Sequence, residues 1–87
     1  MIFNNKTVII TGGSEGVGAA AARKFAEAGA NLMLVARNKK NLEAIAEELR
    51  GKSQVEVFAM DVSDPEACVD LFKKTQFEYG RIDVLVN

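Results

Sequence analysis

Residues 11–20 read TGGSEGVGAA, with four glycines in the first eight positions and alanines after them. The apolar stretch TVII (7–10) precedes this segment, and a helix-forming run follows it. A glycine inside a regular element costs about 0.5–1 kcal/mol relative to alanine, so four close together require a reason. We expect that reason to lie in the connection between a buried strand and a helix.

Short apolar runs alternate with helical patterns along the chain. Strands are expected at 7–11, 31–36, 55–60 and 82–87, and helices at 16–29, 39–50 and from the SDPEA segment (63–67) to residue 79. This alternation implies parallel strands joined by right-handed crossovers, with helices on both faces of the sheet. One α/β domain over residues 1–87 is expected, with the dinucleotide-binding strand order 3-2-1-4 or the flavodoxin-like order 2-1-3-4.

Local signals predict which side of each helix is buried and where the third helix begins. The predicted core face of the first helix carries four apolar residues at helical spacing, Val17, Ala21, Phe25 and Ala28. Ser63 or Asp64 can cap the third helix, and Pro65 suits its first turn. The spacing from Ser63 to Glu66 also matches a capping box.

Composition excludes several classes of function. Eleven Lys and Arg stand against twelve Asp and Glu, so no broad basic field is present to bind a nucleic acid or a membrane surface. No apolar run approaches the roughly 20 residues that span a bilayer. Cys68 is the only cysteine, which excludes an internal disulfide and suits a reducing compartment, so a cytoplasmic location is expected.

The chain contains no histidine. Ser-His-Asp and Cys-His nucleophilic catalysis are therefore excluded, and with a single cysteine no metal site is expected. A P-loop is excluded because no lysine follows the glycines before Lys24. A phosphoreceiver would need acidic residues where Gly12 and Gly13 stand.

The glycines suit a diphosphate bound at a helix N-terminus, where backbone N–H groups and the helix dipole attract anions. Gly12 would allow the sharp exit from the strand, Gly16 a close approach of backbone to ligand, and Gly18 tight packing of the helix on the sheet. Residues 16–21 match G-x-G-x-x-A, whereas residues 11–18 match a longer loop. We favour the longer loop because the strand ends at Thr11.

These features together resemble the N-terminal half of the short-chain dehydrogenase/reductase family, over essentially the whole chain. TGGSEGVG (11–18) matches the family's T-G-x-x-x-G-x-G cofactor loop, Arg37 follows the second strand, and Asp61-Val62 follows the third. DVLVN (83–87) matches the approach to the family's N-N-A-G segment. The resemblance implies a Rossmann-type doubly wound parallel sheet in the order 3-2-1-4.

The resemblance also implies a set of cofactor-binding residues. Asp61 would accept a hydrogen bond from the adenine amino group, Val62 would offer a backbone group beside it, and Asn87 would tie the end of the fourth strand beside the ribose. The pyrophosphate would be held by the loop residues Thr11, Gly12, Ser14, Glu15, Gly16, Val17 and Gly18.

Arg37 bears on the choice of cofactor. NAD-binding folds place an acid about 20 residues beyond the glycines for the ribose 2′-hydroxyl, whereas an arginine there accommodates a 2′-phosphate. VARNKK (35–40) contains no acid, which favours NADP(H) over NAD(H). Glu15 is a departure, because many NADP-using members of the family carry a basic residue inside the glycine loop.

The resemblance implies an oxidoreductase that transfers hydride between a nicotinamide cofactor and a carbonyl or alcohol. The family's catalytic Ser and Tyr-x-x-x-Lys do not occur in these 87 residues, and Tyr79, with Asp83 four residues later, is expected to pack in the core. We therefore assign no catalytic residue. The alternative is a non-catalytic fragment or designed half-Rossmann module that binds a nucleotide or self-associates. In either case the apolar fourth strand predicts a homo-oligomer.

Overall fold

A computed structural model describes residues 2–87, so Met1, the first residue of the predicted domain, lies outside the described residues. Four parallel strands form one sheet in the order β3-β2-β1-β4, which confirms the predicted dinucleotide-type order. In chain order the elements are β1 Thr7–Thr11, α1 Gly16–Glu27, β2 Asn31–Ala36, α2 Lys39–Leu49, β3 Val55–Ala59, α3 Pro65–Tyr79 and β4 Val84–Val86.

The sheet carries a hydrophobic core on each face. Side chains alternate along β1, so Val8 and Ile10 face α1 and α2, while Ile9 faces α3. All three are fully buried, as expected for a central strand of a parallel sheet. The α1–α2 side also buries residues of the neighbouring strand and both helices, including Leu32, Leu34, Leu42 and Leu49.

The predicted core face of α1 is wrong at Val17, whereas Ala21 and Phe25 pack partly buried against the core. Val17 is 86% exposed, and the buried positions of the helix are Ala19, Ala22 and Ala26. The cause is the close contact between Gly18 and the backbone of Gly12, which turns the small-residue side of the helix inward. The larger Phe25 lies at the flank, where its ring packs edge-on against Phe3 with centroids 5.2 Å apart.

The start of α3 shows which of the two candidate caps is used. The Asp64 carboxylate accepts hydrogen bonds from the backbone N–H groups of Glu66 and Ala67, at 3.0 and 3.3 Å. The predicted capping box between Ser63 and Glu66 is therefore wrong. Ser63 donates to Asp61 instead, because its hydroxyl lies within 2.8 Å of that carboxylate.

Asp83 fastens the edge strand to the centre of the sheet. Its carboxylate accepts from the backbone N–H of Thr7 at 2.8 Å and forms a two-pronged ion pair with Arg81. These bonds, the Arg81 pair first, lower the pKa of Asp83 to about 2. The strand β4 is shorter than predicted, since regular pairing begins only at Val84.

Tyr79 is a partly buried packing residue, as predicted, and it lies at the opposite end of the sheet from the glycine loop. Its hydroxyl donates a 2.7 Å hydrogen bond to the carbonyl of Leu32, near the start of β2. Burial, with the nearby carboxylates of Glu56 and Glu78, raises the pKa of Tyr79 well above its usual value. The phenol therefore fastens the end of α3 to the sheet.

Candidate functional site

A cavity of about 320 Å³ opens at the carboxyl ends of β1, β2 and β3. It adjoins the carboxyl end of β1, the strand at which the order reverses, and ligands of doubly wound sheets generally bind at the carboxyl ends of the strands near such a point. The loop after β1 forms one wall, and the segments after β2 and β3 form the others. Its lining residues are Gly12, Ser14, Glu15, Ala36, Arg37, Asn38, Met60, Asp61 and Val62.

The N-terminus of α1 differs from those of the other two helices. The side chain of Asn38 caps α2 and that of Asp64 caps α3. Glu15 occupies the capping position of α1, but no side chain within residues 2–87 caps this helix. The first N–H groups of a helix have no partner inside it, so this end presents free donors and the positive end of the dipole.

The loop glycines have different structural roles. Gly12 and Gly16 adopt left-handed backbone conformations with φ of 68° and 58°, which side-chain-bearing residues rarely adopt. A Cβ at either position would meet no atom within 4 Å, so both face open space. A Cβ at Gly18 would lie 1.9 Å from the carbonyl oxygen of Gly12. Gly18 thus packs the helix against the loop itself, whereas the sequence predicts packing on the sheet.

Arg37 and Asp61 lie on neighbouring walls of the cavity. The sequence separates them by 24 positions, but the parallel register of β2 and β3 brings the strand ends together, with Ala36 opposite Ala59. Ser63 lowers the pKa of Asp61, first through its backbone N–H and then through its hydroxyl, and the charge of Arg37 adds a smaller effect. Asp61 therefore remains an ionised acceptor beside an exposed guanidinium.

Thr11 and Asn87 meet at the end of the sheet. The Thr11 hydroxyl lies 3.2 Å from the carbonyl oxygen of Val86 and 3.1 Å from the Asn87 side-chain oxygen. This contact joins β1 to β4 beside the glycine loop. The two residues do not line the cavity.

The predicted site residues thus fall into two groups. Six of them line the cavity: Gly12, Ser14, Glu15, Arg37, Asp61 and Val62. The other five lie outside that lining: Gly16, Val17 and Gly18 begin α1, where Val17 is exposed, and Thr11 and Asn87 meet at the end of the sheet.

The sequence interpretation missed four residues of the site. Three of them, Ala36, Asn38 and Met60, line the cavity, and Ser63 binds Asp61. The sequence did hold a signal for Asn38, because it stands between β2 and α2, where a helix-capping residue is expected.

No group of three or more Cys, Asp and Glu side chains within residues 2–87 is arranged to hold a metal ion. The helices described over the same range are all too short or too polar to cross a membrane. The groups that a ligand would meet at the cavity are backbone N–H donors, the exposed guanidinium of Arg37 and carboxylate acceptors.

Comparisons with known proteins agree with this geometry. The family model described as short chain dehydrogenase matches residues 6–87. The 11-beta-hydroxysteroid dehydrogenase B of Sesamum indicum is 45% identical over 87 residues, which cover 98% of this chain and 24% of that protein.

Two solved structures have the same backbone arrangement. L-Sorbose reductase from Gluconobacter frateurii, complexed with NADPH and L-sorbose, has a TM-score of 0.94 and 37% identity, covering 100% of this chain and 34% of that one. A metagenomic short-chain oxidoreductase in complex with NADP has a TM-score of 0.91 and 32% identity, and the match covers 98% of this chain and 39% of that one. The chain spans about a quarter of the length of the sesame relative. The sheet order, the glycine loop and the family match show together that this chain belongs to the short-chain dehydrogenase family.

Proposed function

We propose that this chain is the cofactor-binding part of an NADP(H)-dependent short-chain oxidoreductase. The observation that carries the proposal is the N-terminus of α1, which no side chain within residues 2–87 caps, next to the cavity lined by Arg37. Such a helix end attracts a diphosphate, and a neighbouring guanidinium binds a further phosphate with charge-assisted hydrogen bonds. Residues 1–87 would then act as one half-domain.

The loop fits a dinucleotide on steric grounds. The absent Cβ atoms of Gly12 and Gly16 leave space beside the backbone, as close approach to a diphosphate requires. In the proposal, backbone N–H groups from Gly12 to Gly18 bind the diphosphate, except that of Gly13, which already donates to the Val35 carbonyl at 3.1 Å. The side chains of Thr11 and Ser14 lie nearby. In the same proposal, Asp61 and Val62 contact the adenine, and Asn87 lies beside the ribose.

The preference for NADP(H) rests on Arg37. The guanidinium is exposed and the VARNKK segment holds no carboxylate that could accept from a ribose 2′-hydroxyl. The NADPH and NADP bound in the two structural neighbours support this choice for the family fold. Glu15 lines the same cavity, and its negative charge would repel a 2′-phosphate. We therefore expect only a moderate preference for NADP(H) over NAD(H).

A nicotinamide cofactor supplies the hydride in such reactions. The protein must add a positioned acid that protonates the carbonyl oxygen. Tyr79 does not serve, because its hydroxyl is engaged with the Leu32 carbonyl at the other end of the sheet. We therefore propose that the described residues bind and orient the cofactor and that the acid is not among them.

A second candidate function is self-association through β4. This strand pairs only with β1 among the described residues, and its Leu85 is exposed, as is Ile82 just before the strand. An unpaired apolar edge is a template for another strand. We propose a homo-oligomer built on this edge, in the cytoplasm, where the free thiol of Cys68 would stay reduced.

Calorimetric titration with NADP and NAD tests the cofactor proposal. Wild type should bind NADP more tightly, and Arg37→Asp should reverse the order, since charge-assisted bonds contribute about 1.5–3 kcal/mol each before solvent screening. Lys52→Asp is the matched control, because it makes the same charge change on an exposed residue between α2 and β3. Equal binding of both dinucleotides by wild type would refute the role of Arg37.

Light scattering tests the second candidate. The proposal requires particles larger than one 9.4 kDa chain, and a Leu85→Lys variant should shift them toward monomer. A stable wild-type monomer at high concentration would exclude self-association through β4.

A further inference from the structure

The carboxylate of Asp61 is held by one neighbour in a defined orientation. The backbone N–H of Ser63 donates to its Oδ1 at 2.9 Å, and the Ser63 hydroxyl donates to the same oxygen at 2.8 Å. Both bonds end on Oδ1. No hydrogen bond to Oδ2 is formed within residues 2–87, so the second oxygen keeps its full capacity as an acceptor.

The Ser63 hydroxyl is not needed to begin the helix that follows. Asp64 already satisfies two N–H groups of the first turn of α3, and the backbone N–H of Ser63 alone would close the turn at Asp61. The additional bond from the hydroxyl therefore restricts the rotation of the Asp61 side chain. An exposed carboxylate without such a bond samples several rotamers and loses entropy when it binds a ligand.

Asp61 lines the cavity while Ser63 does not. The hydroxyl thus acts on the cavity only through the carboxylate that it holds. The charge of Arg37 on the next wall also favours the ionised form of Asp61, so the free Oδ2 accepts and does not donate. A ligand group facing it must carry an N–H or O–H.

We propose that Ser63 is a positioning residue that orients Asp61 to select a purine bearing an exocyclic amino group. The inference rests on the proposed cofactor function, since it concerns how the adenine end of the same ligand is read. An amino group donates to a carboxylate. Hypoxanthine has a carbonyl oxygen at the same ring position, and two acceptor oxygens repel each other. Base preference therefore depends on how firmly Oδ2 is held.

The test compares NADP with its hypoxanthine counterpart by calorimetric titration. The matched variants are Ser63→Thr, which keeps the hydroxyl, and Ser63→Val, which replaces it with a methyl group of similar shape. Wild type and Ser63→Thr should prefer the adenine dinucleotide. Ser63→Val should lose roughly three- to tenfold in adenine affinity, because the Asp61 side chain then loses rotamer freedom when the ligand binds, and little in hypoxanthine affinity.

Ser53→Ala controls for a merely structural effect. The Ser53 hydroxyl also donates a hydrogen bond, to the Ala30 carbonyl, but at the end of the sheet away from the cavity. Its loss should lower the urea midpoint and leave the ratio of the two affinities unchanged. Circular dichroism of each variant confirms that the fold is retained.

Two results overturn the inference, and they differ in what else they refute. If wild type discriminates between the bases and Ser63→Val keeps the same ratio, the positioning role is wrong and the cofactor site stands. If wild type binds neither dinucleotide, the proposed function fails and the inference fails with it.

Discussion

Replacing Gly18 with alanine should be among the most damaging single-methyl changes in this chain. The new Cβ would lie 1.9 Å from the Gly12 carbonyl oxygen and 2.6 Å from its carbonyl carbon. Side-chain carbons do not approach backbone atoms closer than 3.0 Å, so the loop and α1 must separate by about 1 Å. Neither partner is a flexible side chain, so the backbone contact between α1 and the glycine loop must shift.

We expect Gly18→Ala to lower the free energy of unfolding by about 3 kcal/mol, at the upper end of the usual cost of overpacking. A domain of this length has a total of about 4–13 kcal/mol, so the loss is easily measured. Gly16→Ala should cost only about 1–2 kcal/mol, because its cost is the left-handed φ of 58° without any clash.

Urea denaturation followed by circular dichroism at equilibrium measures these differences. Gly51→Ala is the control, since Gly51 has an ordinary φ and open space around it. That change should raise stability by about 0.4–1 kcal/mol through the unfolded state. If Gly18→Ala and Gly51→Ala were equally stable, the close contact between α1 and the loop would be refuted.

Three other predictions follow from single contacts. The Thr7 hydroxyl is fully buried and has no hydrogen-bond partner among the described residues, so Thr7→Val should raise the free energy of unfolding by about 1 kcal/mol; a loss would show that the hydroxyl has a partner. The pKa of Asp83 falls from 3.8 in the unfolded chain to about 2, so the stabilisation that its charge provides is complete above about pH 5 and is lost progressively as the pH falls through about 2. Asp83→Asn should flatten the pH dependence of the urea midpoint in that window, and an unchanged profile would contradict the role of its ion pair with Arg81. Residues 1–87 alone should not oxidise NADPH in the presence of ketones, quinones or aldehydes. Turnover above the buffer blank that disappears in Tyr79→Phe would show that Tyr79 acts as an acid.

Much of the fold was predictable because the decisive signals are local and repeated. Four apolar runs separated by helical patterns require parallel strands, and the glycine loop places the ligand side at their carboxyl ends. The convergence of Arg37 and Asp61 then follows from the order 3-2-1-4, in which β2 and β3 are neighbours in parallel register. Their positions on one cavity therefore needed no knowledge of side-chain packing.

The remaining details depend on competition between neighbouring groups, which a sequence pattern does not resolve. Ser63 and Asp64 are both good capping residues, and only the path of the loop decides that Asp64 caps α3 while Ser63 binds Asp61. Val17 matches an apolar helical spacing, yet the contact of Gly18 with Gly12 rotates it into solvent. In both cases a backbone contact between segments decided the outcome.

The most direct test of the account is a titration of the ¹⁵N-labelled chain with NADP, followed through its backbone amide resonances. The largest shifts should occur at Gly12 and residues 14–18, whose N–H groups would bind the diphosphate, and at Arg37 and Asp61. Saturable shifts confined to these three segments would agree with a dinucleotide site at the start of α1. Shifts centred elsewhere, or none at millimolar NADP, would contradict it.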